Sequence, residues 1–182
     1  MNLRTTTRLI LGFCTLFASA EIDRSAFGTL NVEADNAIVD NRFFNHLHRY
    51  GIHLDGPRRI RFPKTFVTEY PQQVYSSEQT LTLTNKNFKR GWLLTGKVFQ
   101  DKLFGIHSWS ELPAEFRFKS ISWVQGGTGS AAGINIHPNG EYIEADPGFG
   151  KGTYDIKFEV VLQIPPFPDA DRYYGVLAFI IQ

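Results

Sequence analysis

The chain has 182 residues, with 19 Lys and Arg against 18 Asp and Glu, one cysteine and one methionine. So even a charge balance, with no basic run, leaves no electrostatic footprint for nucleic acid as a partner. A single cysteine excludes a disulfide within the chain.

In chain order, the first twenty residues predict a secretory signal peptide. Arg4 and Arg8 supply a positive start, and Leu9 to Phe17 (LILGFCTLF) is an apolar stretch too short to span a bilayer. Ala18-Ser19-Ala20 then reads as a small-residue cleavage site. Cys14 follows Phe13, where lipidation would need a small residue, so a lipid anchor is not expected. Cleavage after Ala20 leaves 17 basic against 18 acidic residues and neither cysteine nor methionine. Residues 21–182 form one expected domain of about 160 residues, enough for a single core without disulfides. No further apolar stretch reaches membrane length, so no transmembrane segment is expected in the mature chain.

Asp40 to Tyr50 (DNRFFNHLHRY) predicts a short helix of about two turns, with Phe43, Phe44 and Leu47 on one side. Strand periodicity dominates the rest. Thr80 to Thr84 (TLTLT) alternates hydroxyl and leucine, Asn85 to Gly91 carries turn chemistry, and Trp92 to Phe99 returns as a strand, which predicts a hairpin. Phe116 and Phe118 share one parity while Ile121 and Trp123 share the other. A bulge between them would restore a common face, and a strand buried on both sides is equally allowed. Gly126 to Gly133 (GGTGSAAG) reads as a mobile surface loop. Ile134 to Ile143 predicts a second hairpin, turning at Pro138-Asn139-Gly140.

From Thr153 to Ile164, Tyr154, Ile156, Phe158, Val160, Leu162 and Ile164 share one face, and Asp155, Lys157, Glu159 and Gln163 the other. That is a half-buried strand. Tyr173 to Ile181 is apolar almost throughout, as suits a strand covered on both faces. Gly and Pro punctuate the chain about every ten residues. The expected fold is all-β: a single-domain antiparallel β-sandwich, Ig-like or jelly-roll-like. Its core should include Phe158, Val160, Leu162, Leu177 and Phe179.

Few residues carry recognisable chemistry. Gly148-Phe149-Gly150-Lys151-Gly152-Thr153 lacks the Lys-Ser/Thr step and the following helix of a phosphate loop. Thr128 stands where a nucleophile elbow around Ser130 would need its first glycine. His46, His48 and His53 lie close in sequence but lack cysteine partners, so no metal or other cofactor is expected. Glu111, Glu115, Glu141, Glu144 and Asp146 could include the acid pair of a secreted glycan-active enzyme, but sequence does not fix their separation. The chain is therefore expected not to be an enzyme.

One succession of residues stands out. Ile60-Arg61-Phe62 is followed by LTLT, a charged turn, and Gly91-Trp92-Leu93-Leu94. Later come the glycine-rich run Ala145 to Tyr154, Leu162-Gln163-Ile164-Pro165, and the terminal Tyr173 to Ile181. Over residues 58 to 182 this resembles the WxL domain of Gram-positive surface proteins, in which one Trp-x-Leu lies mid-chain and a second in the last strand. Trp92-Leu93-Leu94 matches the first motif, whereas Phe179-Ile180-Ile181 stands in place of the second.

The resemblance implies a cell-surface or cell-wall location and non-covalent attachment to peptidoglycan or another envelope glycan, alongside other surface proteins. Trp92, Leu94, Phe179 and Ile181 are then the candidate binding residues. Leu94 and Val98 continue an apolar face on the parity of Trp92, which predicts a buried indole with binding carried by neighbouring loops. A different expectation rests on the last strand alone. An apolar Tyr173 to Ile181 at a sheet edge would suit a structural, pilin-like surface subunit assembling through strand pairing.

Overall fold

The structure, a computed structural model, describes residues 16–22, 29–33, 51–57, 60, 62–63, 65–66, 68–86, 91–127, 129–169 and 171–181. The helix expected over Asp40 to Tyr50 lies outside these residues, as do His46 and His48. The described chain opens with β1 (Leu16–Ile22), β2 (Thr29–Glu33), β3 (Ile52–Asp55), β4 (Thr65–Phe66), β5 (Gln72–Tyr75) and β6 (Gln79–Asn85). It continues with β7 (Trp92–Val98), a 3-10 turn at Phe99–Asp101, β8 (Lys102–Gly105) and β9 (Glu111–Gln125). Then come β10 (Ile134–Ile136), β11 (Tyr142–Ala145), β12 (Gly152–Ile164) and β13 (Arg172–Ile181). The fold is all-β, antiparallel and sandwich-like.

The main hydrogen-bonded path is β10-β11-β7-β13-β8-β9-β12-β6-β3; β5 joins it at β12, and β1 joins it at β13 with β2 and β4 beyond. β9 is the fold line. Its first residues pair with β8, and from Ala114 onward it pairs with β12. The sheet therefore doubles back, and β9 and β12 face β7 and β13. At the centre, Phe179 of β13 lies 5.5 Å from the rings of both Phe116 and Phe158, edge-on to each. Such pairs contribute about 0.5–1.5 kcal/mol each beyond their buried area. Gly96 of β7 lies opposite Phe179 in register, and a Cβ there would fall on the Phe116 ring. The close approach of the two layers depends on that missing side chain.

The alternation of β12 is realised, with Tyr154, Ile156, Phe158, Val160, Leu162 and Ile164 all buried. The expected core residues Phe158, Val160, Leu162, Leu177 and Phe179 are buried too. Of the two arrangements that its parity change allows, β9 takes the bulge. Phe158 pairs with Phe118 and Lys157 with Ser120, so Lys119 is the extra residue, and Ile121 rejoins the core side opposite Ile156. Val124 makes a second irregularity, and Trp123 ends up at the rim, 39% exposed. β10 and β11 form the second expected hairpin, closed by Gly140 N–H to His137 O at 2.7 Å. Only Gly140 of its Asn-Gly pair takes positive φ.

The first expected hairpin is corrected. β6 and β7 form, but they do not pair with each other. β6 lies between β12 and β3, while β7 lies between β11 and β13, so Asn85 to Gly91 joins the two layers. The threonine face of β6 bonds across to β12. Thr82 Oγ1 donates to Asp155 Oδ1 at 2.8 Å, and Thr84 Oγ1 lies 3.3 Å from Thr153 Oγ1.

β13 is an interior strand. β7 and the continuing β8 run along one edge, and β1 along the other. Its inward residues Tyr173, Leu177, Phe179 and Ile181 are buried. Outward, Ala178 is buried, Val176 and Ile180 are half-buried, and Tyr174 is exposed. β1 crosses the cleavage point expected after Ala20.

Candidate functional site

The four residues singled out from sequence all lie in the core. Trp92 is 3% exposed, and Leu94, Phe179 and Ile181 are more deeply buried still. The fold does bring their two segments together, since Leu94 pairs with Ile181 and Gly96 with Phe179. Trp92 Nε1 donates to Gly150 O at 3.0 Å, and Asn85 Nδ2 donates to the same oxygen at 2.9 Å. The glycine-rich run around Gly150 thus roofs the indole and ties β6 to β7. That accounts for its composition without a phosphate. The indole is a structural anchor, and none of the four side chains offers a surface to a ligand.

Exposed aromatics lie elsewhere. The turn from β8 to β9, Gly105-Ile106-His107-Ser108-Trp109-Ser110, closes through Gly105 N–H to Ser110 O at 2.8 Å. Its seat is Asp171, which is buried just before β13. Asp171 Oδ2 accepts from His107 N at 2.8 Å, Ser108 N at 2.6 Å and Ser108 Oγ at 2.7 Å. Ser110 Oγ lies 2.6 Å from Ser108 Oγ and 2.8 Å from Tyr173 OH. The Tyr173 hydroxyl in turn donates to Asp169 O at 3.0 Å. Burial pushes the Tyr173 hydroxyl above its ordinary range; Asp169 and Asp171 add to that, and the Ser110 and Ser108 bonds oppose it. A Cβ at Gly105 would run into Ser108 Oγ and Asp171 Oδ2, so this turn can sit on its carboxylate only with glycine there.

The network holds the turn that carries Trp109. Trp109 adopts φ 56°, a left-handed conformation rare for a bulky side chain, and is 79% exposed. Ile106, on the same turn, is 45% exposed. On the β12–β13 loop, which the Tyr173–Asp169 bond joins to this network, Phe167 also has positive φ and is 76% exposed. Pro166 and Pro168 flank it and limit its backbone freedom. Two large aromatics are therefore displayed on mutually hydrogen-bonded loops, where exposure and strain are both unfavourable to them. Left-handed backbone at a bulky residue costs about 1–3 kcal/mol and persists only where its surroundings hold it. Beside the turn, Phe104 and Tyr174 face each other at 6.5 Å, with Lys102 Nζ 5.2 Å from the Phe104 ring and 2.6 Å from Glu111 Oε1.

No sequence pattern singles out Trp109, because a lone Trp among serines belongs to no periodic run. That isolation is itself the usable sign: a tryptophan in a polar turn, with no apolar alternation around it, has no core to enter.

Some of the carboxylates considered for acid chemistry are held in ion pairs, and two of them share a groove. Glu111 pairs with Lys102, and Glu115 holds Arg117 through two bonds of 2.8 Å. Glu115 and Glu141 both line an open groove of about 590 Å³ with Thr95, Gly96 and Gln163. Glu144 and Asp146 lie exposed on and just after β11. Among the described residues, no group of three or more His, Cys, Asp and Glu side chains is placed to hold a metal ion. No helix of the described residues is long and apolar enough to cross a membrane. No protein-family model, curated protein or solved structure matches this chain.

Proposed function

We propose that this chain is a secreted, non-enzymatic binding module that attaches non-covalently to peptidoglycan or another envelope glycan at the cell surface. The observation that carries this reading is Trp109, exposed on the turn that the Asp171 network holds, with Phe167 on the adjoining loop. Pyranose rings present flat CH faces that stack on aromatic side chains, and an aromatic fixed in advance loses little conformational freedom on binding. Near-neutral charge adds no repulsion from an anionic wall. The likeness of Gly91-Trp92-Leu93-Leu94 and the terminal strand to WxL domains favours the same location. In this reading Trp92, Leu94, Phe179 and Ile181 build the platform, and Trp109 and Phe167 make the contact.

The test is sedimentation with purified cell walls. The parent protein should pellet with the walls, and Trp109→Ala and Phe167→Ala should each weaken association by roughly tenfold or more, the equivalent of about 1.4 kcal/mol. Parent protein left wholly in the supernatant, or variants that bind as the parent does, would overturn the proposal.

A further inference from the structure

β13 has the composition of a strand that is never left bare. From Tyr173 to Ile181 it holds no charged residue and no proline, the features that keep exposed edges from pairing with other chains. One edge is filled by β7 and β8. The other is covered by β1 from Arg172 to Leu177, with Leu16 opposite Leu177 and Ala20 opposite Tyr173. Yet all of β1 except Glu21 and Ile22 precedes the cleavage point expected from Ala18-Ser19-Ala20. The covering strand is part of the predicted leader.

We infer that cleavage after Ala20 strips β1 from the sheet, and that a second copy of this chain fills the opened edge, β13 against β13 across a two-fold axis. Strand direction favours this occupant over closure within one chain. β1 is antiparallel to both β13 and β2, so β2 runs parallel to β13. β2 is also tied to β4 through Thr29–Phe66 and Leu30–Thr65. Closing the gap with β2 would give a parallel pair, the less stable arrangement per residue, and reversing β2 would break its link to β4. A copy related by a two-fold axis presents an antiparallel strand of identical sequence, and such an interface is self-complementary. Pairing centred between Val176 and Leu177 sets Arg172 opposite Ile181 rather than opposite another arginine. With 17 basic against 18 acidic residues after cleavage, little net charge opposes association.

The experiment compares the full chain made without export, which keeps residues 1–20, with the same chain exported and processed. Mass spectrometry should place the new N-terminus at Glu21. Light scattering on the eluting peak should give a monomer for the unprocessed chain and twice the monomer mass for the processed one. A synthetic peptide LFASAEI, the sequence of β1, should return the processed dimer to monomers carrying one peptide each. Val176→Lys should give a processed monomer with an unchanged far-UV circular dichroism spectrum. A processed chain that stays monomeric at every concentration, a dimer indifferent to both the peptide and Val176→Lys, or an exported chain retaining Leu16 to Ala20 would each overturn the inference. If the processed chain precipitates, refolding with the peptide decides: a soluble one-to-one complex supports the open edge, and persistent precipitation counts against it.

Discussion

Replacing Trp92 with alanine separates the platform from the contact. The indole is 3% exposed, pairs in register with Ala145 on β11, and donates to Gly150 O at 3.0 Å. Removing it leaves a cavity beneath the glycine-rich roof, and large-to-small changes of this kind cost about 3–5 kcal/mol. The hydrogen bond adds little to that figure, because Gly150 O keeps its bond from Asn85 Nδ2 at 2.9 Å and no acceptor is orphaned. For a domain of this size each kcal/mol lowers the melting temperature by roughly 2–4 °C, so the expected fall is roughly 6–20 °C. Differential scanning calorimetry measures it directly. Below its melting temperature the variant should still sediment with cell walls, since Trp109 is untouched. A Trp92→Ala protein that melts with the parent yet fails to bind would refute the assignment of the indole to the core.

Two further outcomes follow from the Trp109 seat and its surroundings. Asp171→Ala removes the acceptor of His107 N, Ser108 N and Ser108 Oγ and should cost about 2–4 kcal/mol; wall binding should fall with it, and a variant of full stability and full binding would show that the network does not hold the turn. Burial pushes Tyr154 and Tyr173 above the ordinary tyrosine value of 10.0, so the folded chain holds these protons more tightly than the unfolded chain. Their contribution is complete below about pH 10 and is lost as pH rises above it. Thermal midpoints should therefore fall above about pH 10, less steeply in Tyr173→Phe, and a midpoint that climbs there would contradict the assignment.

Local periodicity carried the fold a long way. The six inward residues of β12, the β10–β11 hairpin and the bulge that realigns Ile121 are all consequences of side-chain parity, which a strand displays in its own sequence. Partner choice is not a local property. Asn85 to Gly91 has the chemistry of a hairpin turn, but β6 and β7 find better partners across the molecule, and nothing within residues 79–98 reports that competition. The burial of Trp92 was legible from Leu94 and Val98 on its parity. The candidate site was not. Its seat joins residues 105–110 to 169–173, and a buried aspartate holding a turn more than sixty residues away leaves no trace in either segment alone.

The place of β13 also sets the order in which this molecule can assemble. Its neighbours lie at residues 94–105 and at residues 16–22, and it is the last strand of the described chain to be synthesised. Until Arg172 to Ile181 have emerged, β7 and β8 have no partner along that edge and Phe179 cannot enter the cluster with Phe116 and Phe158. Contacts of such wide separation in sequence slow folding. A chain emerging from its N-terminus therefore stays open along this edge until β13 is in place. That makes Arg172 to Ile181 the clasp that joins the two layers of the described chain.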